Sequence, residues 1–494
     1  MAEPIQATEP PRARSSARTT LAMLRGISRE GRYVAAITVF AALLRLSFLD
    51  SKSLWMDEGM TVCRVGHSLR QLWSIVLHAE MNMCAYYLMM HAWTAFAGTG
   101  EFALRLPSVI FDTATVPLVY LLGKEFGDRR AGLIAALMLG LNASSIEYAQ
   151  TARSYAMLVA LSTPAWIFFV RGMRHPSAGN FAGYIICGAS AMYAHLFAVF
   201  AIPAQALILL WMRPPAVTIR RMILSLVAVG VLGLPALYFG ITGYHGNIAW
   251  VPSLSVASVL RLFAFFSGAF EGQGVALAVM LTALYAAGIV LAILAAPRER
   301  RTAPAFLLIA ILSPLVIVVA ISMFRSIFML RYLLAGLPLY ILLAAMGFSQ
   351  LKARCAIAMI SAAALLSVGG VWTYYRAPGI QDWRGVTAFI ADDSRPSDLW
   401  IMYPDSSGCL FNYYHSRYDK TFPWDFLQKE SDKNIDPVVR RLSGITKDGH
   451  GRRVWLTYPL ADPLDISSLR PAFAVGKIVE SGFPGVRVVL FEPR

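Results

Sequence analysis

The stretch YVAAITVFAALLRLSFL, residues 33–49, and the Leu54-Trp55-Met56-Asp57-Glu58-Gly59 segment that follows it decide how this chain is read. The first is an apolar run of membrane-spanning length. The second sets two adjacent carboxylates at the mouth of that run, where desolvation is costly. A membrane enzyme that takes a proton from an incoming hydroxyl needs an acceptor carboxylate at the bilayer edge. Position alone is equally compatible with a solvated loop end.

The rest of the chain weighs between these readings. It has 494 residues, 57% of them hydrophobic and only 15% charged, which is too apolar for an ordinary soluble protein. Apolar runs recur up to residue 372, and backbone groups in lipid must bond within their own segment. The expectation is a polytopic α-helical membrane protein with eleven spans: 33–49, 106–122, 131–147, 154–170, 181–194, 197–212, 222–240, 274–296, 304–323, 331–348 and 355–372. The run Met83–Phe96 is too short to cross and carries Tyr86, Tyr87, Trp93 and Phe96. It is expected to lie at the exterior interface.

That assignment puts every strongly basic loop in the cytoplasm: Lys124/Arg129/Arg130, Arg171/Arg174, Arg213/Arg220/Arg221, Arg298/Arg300/Arg301 and Lys352/Arg354. The net charge of +15 is therefore a matter of topology, and no basic-aromatic stripe points to nucleic acid. Residues 1–32 form a basic cytoplasmic tail without a signal-peptide core. Residues 33–372 form the transmembrane domain, with exterior loop 50–105 carrying Asp57-Glu58. Residues 373–494 form a small exterior α/β domain. In it Leu399–Tyr403, Val454–Tyr458 and Val486–Phe491 are strand-like and Trp383–Asp392 is helical. The active site and this domain are expected on the periplasmic side of an inner (plasma) membrane. The five cysteines lack metal spacing, and Cys63 and Cys84 share one exterior segment where they could pair.

Several residues can carry chemistry. Of Asp57 and Glu58, one is expected to face the cavity and the other to support the fold; together they are a weak divalent-metal site. Glu147, Tyr148, Arg153 and Tyr155 crowd one membrane edge. Arg153 suits a lipid phosphate, or it snorkels to headgroups. His195, in the turn between two spans, is either packed or a cavity hydrogen-bond donor. Arg331-Tyr332 opens a span from outside, with Arg325 nearby, against the positive-inside tendency. The exterior segment 241–273 adds His245 and Arg261.

At these residues the chain resembles the C-type, polyprenyl-phosphate-sugar-dependent glycosyltransferases, the superfamily of protein O-mannosyltransferases, lipid A aminoarabinose transferases and rhizobial galacturonosyltransferases. The matching pieces run in order. They are Leu54-Trp55-Met56-Asp57-Glu58, Tyr86-Tyr87-Leu88 with His91-Ala92-Trp93, and Gly100 to Ser108. Then come Tyr148-Ala149-Gln150, Ala152 to Ala156, Tyr193-Ala194-His195, Arg331-Tyr332-Leu333 with Pro338, and Asp382-Trp383-Arg384. One departure is Asn82-Met83-Cys84-Ala85-Tyr86-Tyr87, where the family has a His-Pro-Pro-Leu-Tyr-Tyr stretch.

The resemblance implies a C-type glycosyltransferase fold and transfer of a sugar from a polyprenyl monophosphate to a lipid, glycan or protein acceptor at the exterior face. It implies an inverting displacement with Asp57 as general base and no cofactor; a divalent metal is not expected. Arg105, Arg153 and Arg331 are then candidates for stabilising the departing phosphate. Glu147, Tyr148, Tyr155, His195 and Tyr332 are candidates for binding sugar or acceptor. A transporter or flippase of a lipid-linked glycan is the alternative. The absence of internal repeats and the gathering of polar residues at one face weigh against it.

Overall fold

The computed structural model describes residues 28–78, 81–242, 251–270, 272–295, 297, 301–403, 408–417, 424–426, 453–460, 473–479 and 482–493. The tail before residue 28, His245, Arg298 and Arg300 lie outside the described residues, as does part of the exterior segment 241–273.

Each of the expected runs is helical. Among the described residues, seven helices are long and apolar enough to cross a membrane. The count is eight if Arg129–Gly140 and Ala143–Ala149, bent by 61°, are one span. The other expected spans do not meet this test of length and composition. The first run, Arg29–Leu46, and Ala178–Ala194 fall short of that test, and Leu196–Met212 is a shorter apolar helix. The helix Cys84–Ala97 has 14 residues, about 21 Å at 1.5 Å per residue, less than a hydrocarbon core. The long helix Ala216–Thr242 leaves Ile223, Leu224, Val227, Val231 and Leu234 exposed, as a lipid-facing surface does.

Sequence chemistry explains the bend near residue 141. The last carbonyls of a helix lack internal partners. Here Arg45, fully buried, donates through Nη1 to Gly140 O at 3.0 Å and through Nη2 to Leu139 O at 3.2 Å. Its charge is matched by buried Asp112, which also accepts from Ser145 Oγ at 2.9 Å. Asn142 then caps the next segment by accepting from Ser145 N at 2.9 Å. The buried pair thus fixes where one helix stops and the next begins. Elsewhere the helices Val275–Leu294 and Leu337–Ser349 meet backbone to backbone, and a Cβ on Gly347 would run into the Gly288 carbonyl.

The C-terminal part holds a five-stranded mixed sheet of order β2-β1-β3-β5-β4. The strands are β1 Leu399–Met402, β2 Trp424–Phe426, β3 Val454–Pro459, β4 Phe473–Val479 and β5 Val486–Pro493. β1 pairs parallel with β2 and β3, and β5 pairs antiparallel with β3 and β4. The three strands and the helix Trp383–Asp393 legible in the sequence are present.

This part grips the loop that carries Asp57. Tyr414 Oη accepts from Leu54 N at 2.8 Å and donates to Glu101 at 2.6 Å. Gln381 accepts from Met56 N at 2.9 Å, and Arg384 pairs with Glu101. Cys63 does not take the nearby Cys84 as a partner: it is bonded to Cys409, with Cα atoms 5.4 Å apart, and Cys84 is free and buried. The helix Gly408–His415 folds back over the helix Met56–Gly66, where Leu410 packs so close to Gly59 that a Cβ there would clash. A partner 346 residues away is invisible to local spacing.

Candidate active site

The helix Met56–Gly66 starts on extended Trp55, and its first turn holds Asp57 and Glu58, where the N-terminal dipole favours negative charge. Their fates then part. The Glu58 side chain is 1% exposed and Asp57's is 23%. Glu58 accepts from Arg105 Nε at 2.8 Å and Nη2 at 2.7 Å, from Ala152 N at 2.8 Å, and reaches back to Trp55 N at 3.4 Å. The remaining Arg105 donors go to the carbonyls of Leu49, Lys52 and Ser53. Of the two carboxylates, Glu58 is thus the one turned into the protein, and Arg105, 3% exposed, has its guanidinium engaged by Glu58 and the loop backbone.

That pair has a positioning consequence. Glu58 holds Ala152 N, and Thr61 Oγ1 donates to Ala152 O at 2.9 Å. The turn between helices Ala143–Ala149 and Tyr155–Arg174 is thereby pinned to the Asp57 helix. Arg153, the next residue, donates through Nη1 to the Asp57 carbonyl at 3.2 Å and to Tyr87 Oη at 3.1 Å. From the other side Arg331, in the 3-10 segment Leu330–Gly336, places Nη2 3.4 Å from Asp57 Oδ2. Its guanidinium lies 5.6 Å from the Trp55 ring centre, within cation–π range.

Aromatic rings pack behind these charges. Tyr155 meets Tyr148 at 5.2 Å, His195 at 5.6 Å and Tyr332 at 6.5 Å, while His195 and Tyr332 are 5.1 Å apart. Glu147 lies beside Lys52 at the same end of the bundle. Burial of Lys52, outweighing the nearby Glu147 carboxylate, lowers its pKa to about 8. Its Nζ donates to Tyr374 O at 2.7 Å. The structure therefore brings Asp57, Arg153, Arg331, Tyr148, Tyr155, His195 and Tyr332 together. Sequence reasoning missed Tyr87 as a partner of Arg153, and it missed Trp55 and Lys52; the proximity of Trp55 and Lys52 to Asp57 along the chain was the available signal.

A small apolar groove, with about 50 Å³ of enclosed space, adjoins this cluster through Tyr332. Phe197 and Tyr332 line its head, and Leu262, Phe266, Leu315 and Leu339 its length. The site thus joins two cations and an accessible carboxylate to a hydrophobic channel between helices. Among the described residues, no group of three or more His, Cys, Asp or Glu side chains is placed to hold a metal ion.

Residues 83–239 match the family model described as dolichyl-phosphate-mannose-protein mannosyltransferase. No curated protein matches the chain by sequence. Among solved structures, the chain is similar to ArnT from Cupriavidus metallidurans in the apo state, at 16% identity and a TM-score of 0.60, covering 96% of this chain and 98% of that one. The same protein bound to undecaprenyl phosphate gives 15% identity and a TM-score of 0.59, covering 93% and 98%. The arabinofuranosyltransferase AftD from Mycobacteria gives 16% identity and a TM-score of 0.52, covering 94% of this chain and 41% of that one. The chain thus shares the fold of ArnT over nearly its whole length, and its residues 83–239 match the mannosyltransferase family model.

Proposed function

We propose that this protein transfers a sugar from a polyprenyl monophosphate to an acceptor hydroxyl at the exterior face of the membrane, with inversion, and that Asp57 is the general base. The observation that carries the reading is the accessible Asp57 carboxylate 3.4 Å from Arg331, with Arg153 on its backbone, at the head of an apolar groove. The groove suits an isoprenoid tail, and the two arginines suit its phosphate.

In the proposed step the acceptor oxygen attacks the anomeric carbon as its proton passes to Asp57. The bond from that carbon to the phosphate oxygen breaks, and the polyprenyl phosphate leaves as an anion. No proton need reach the leaving group. Arg153 and Arg331 stabilise charge as it gathers on the phosphate. One displacement inverts the anomeric centre.

Two features support the exterior face. The basic Lys124, Arg129 and Arg130 end of the bundle, where Arg129 meets Glu30 at 3.4 Å, is opposite Asp57 along the helices and fits the cytoplasm. The Cys63–Cys409 bond lies on the Asp57 side and fits an oxidising compartment such as the periplasm. Purified protein given synthetic polyprenyl-phosphate sugars and a cell-envelope extract should release free polyprenyl phosphate and form a glycoside of opposite anomeric configuration. No release with any donor would contradict transferase function, and retained configuration would contradict the single displacement.

A further inference from the structure

His195 is fully buried where the helix Ala178–Ala194 gives way to the 3-10 segment Leu196–Phe200. Its Nδ1 accepts from Phe197 N at 3.3 Å. A nitrogen that accepts an amide proton carries none itself, so in the neutral ring the proton sits on Nε2. That Nε2 has no hydrogen-bond partner among the described residues. A buried donor without a partner is costly, and an acceptor on a ligand would relieve that cost. Its surroundings say which kind. Arg153 and Arg331 lie within electrostatic reach. The rings packed on His195, Phe197 at 5.5 Å and Tyr332 at 5.1 Å, are the two that line the groove's head. An Nε2–H held neutral between two cations has nothing to offer a cation and much to offer an anion.

A second contact fixes the turn. Asn82 Oδ1, in the 3-10 turn Met81–Met83, accepts from Leu196 N at 2.9 Å. Asn82 thus holds the residue after His195 from the exterior loop. By the family resemblance it stands in the place of a His-Pro-Pro stretch.

We infer that His195 is a neutral hydrogen-bond donor, through Nε2, to the phosphate of the lipid-linked substrate, and that Asn82 is the residue that positions it. The inference rests on the polyprenyl-phosphate reading of the site and names a third phosphate contact beside the two arginines. The Tyr332 ring packs 5.1 Å from the histidine and also lines the groove. No covalent step is involved: His195 keeps its proton throughout.

The test measures binding of a synthetic polyprenyl monophosphate, and of the corresponding polyprenol, to detergent-purified full-length protein. Glutamine can place an N–H near the histidine Nε2 position, whereas asparagine reaches only the Nδ1 position. His195→Gln should stay within about threefold of wild type, and His195→Asn should lose about 10- to 100-fold in affinity for the phosphate, as expected for a bond to a charged group. Neither should change polyprenol binding. Asn82→Leu should weaken phosphate binding in the wild type but add little in His195→Asn, because the two act on one contact. Equal phosphate affinity in wild type and His195→Asn overturns the inference alone. So do equal losses for phosphate and polyprenol in both His195 variants, which mark a packing role. If wild type itself does not prefer the phosphate to the polyprenol, the functional reading beneath it fails.

Discussion

Glu58 and Arg105 form a two-point ion pair, at 2.8 and 2.7 Å, buried beneath the loop that carries Asp57, while the neighbouring Asp57 stays accessible. Breaking a buried pair by removing one partner typically costs about 3–5 kcal/mol, because the other charge is left uncompensated. Glu58→Gln should therefore lower the thermal midpoint clearly, while Asp57→Asn leaves it nearly unchanged. Melting curves of the two purified variants check this. Equal midpoints would mean that Glu58 is not the support of the loop.

Cys63–Cys409 ties the Asp57 helix to the C-terminal part. A bond of this kind contributes roughly 2–4 kcal/mol. Cys63→Ser and Cys409→Ser should each lower the melting temperature, and the double variant no further. Non-reducing peptide mapping should find Cys63 and Cys409 in one linked fragment and Cys84 free. A reporter fused after Arg494 should face the exterior, and one fused at Arg301 the cytoplasm.

Arg153 and Arg331 flank Asp57 from different elements. Their alanine variants should raise the KM for a polyprenyl-phosphate sugar and lower kcat, each more than the lysine variants do. Loss of a charge-assisted contact is about one to two decades, and lysine keeps the charge but not the two-point geometry. Unchanged donor kinetics in both folded alanine variants would leave them as interface anchors.

Lys52 supplies a pH signature. Burial lowers its folded pKa to about 8 from an ordinary 10.5, so the unfolded chain binds the proton more tightly. The penalty for burying the charge is full below pH 8. It fades as pH rises from 8 towards 10.5, and stability gains over that window. Lys52→Met should be more stable relative to wild type at pH 7, with the gap narrowing by pH 10. A gap independent of pH would show that Lys52 is not strained by burial. The comparison cancels the other groups that titrate in the same range.

The helical runs were legible in the sequence because lipid imposes a long, unbroken apolar signal on each. Asp57, Arg153 and Arg331 stood out because charges at the ends of apolar runs have few structural excuses. What stayed hidden depends on contacts between distant segments. Arg45 sits inside an apolar run and gives no sign that it meets Asp112 and the Gly140 carbonyl. In the sequence Arg105 looks no different from Arg153 until Glu58 is seen to occupy it. Asn82 looks like a missing motif until its bond to Leu196 N is seen. The apolar signal finds helices but does not fix their length: the segments around residues 141 and 195 are broken, and their pieces are short.

The central claim is that Asp57 takes the acceptor's proton. The most direct measurement is the rate of sugar transfer by Asp57→Asn, at saturating synthetic polyprenyl-phosphate donor, alongside that variant's affinity for the donor. The change keeps the shape of the side chain and its site on the helix but removes the base. The expected result is a fall in kcat on the order of 10²–10⁴-fold, with donor affinity and thermal midpoint close to wild type. Transfer at the wild-type rate by folded Asp57→Asn would contradict the account.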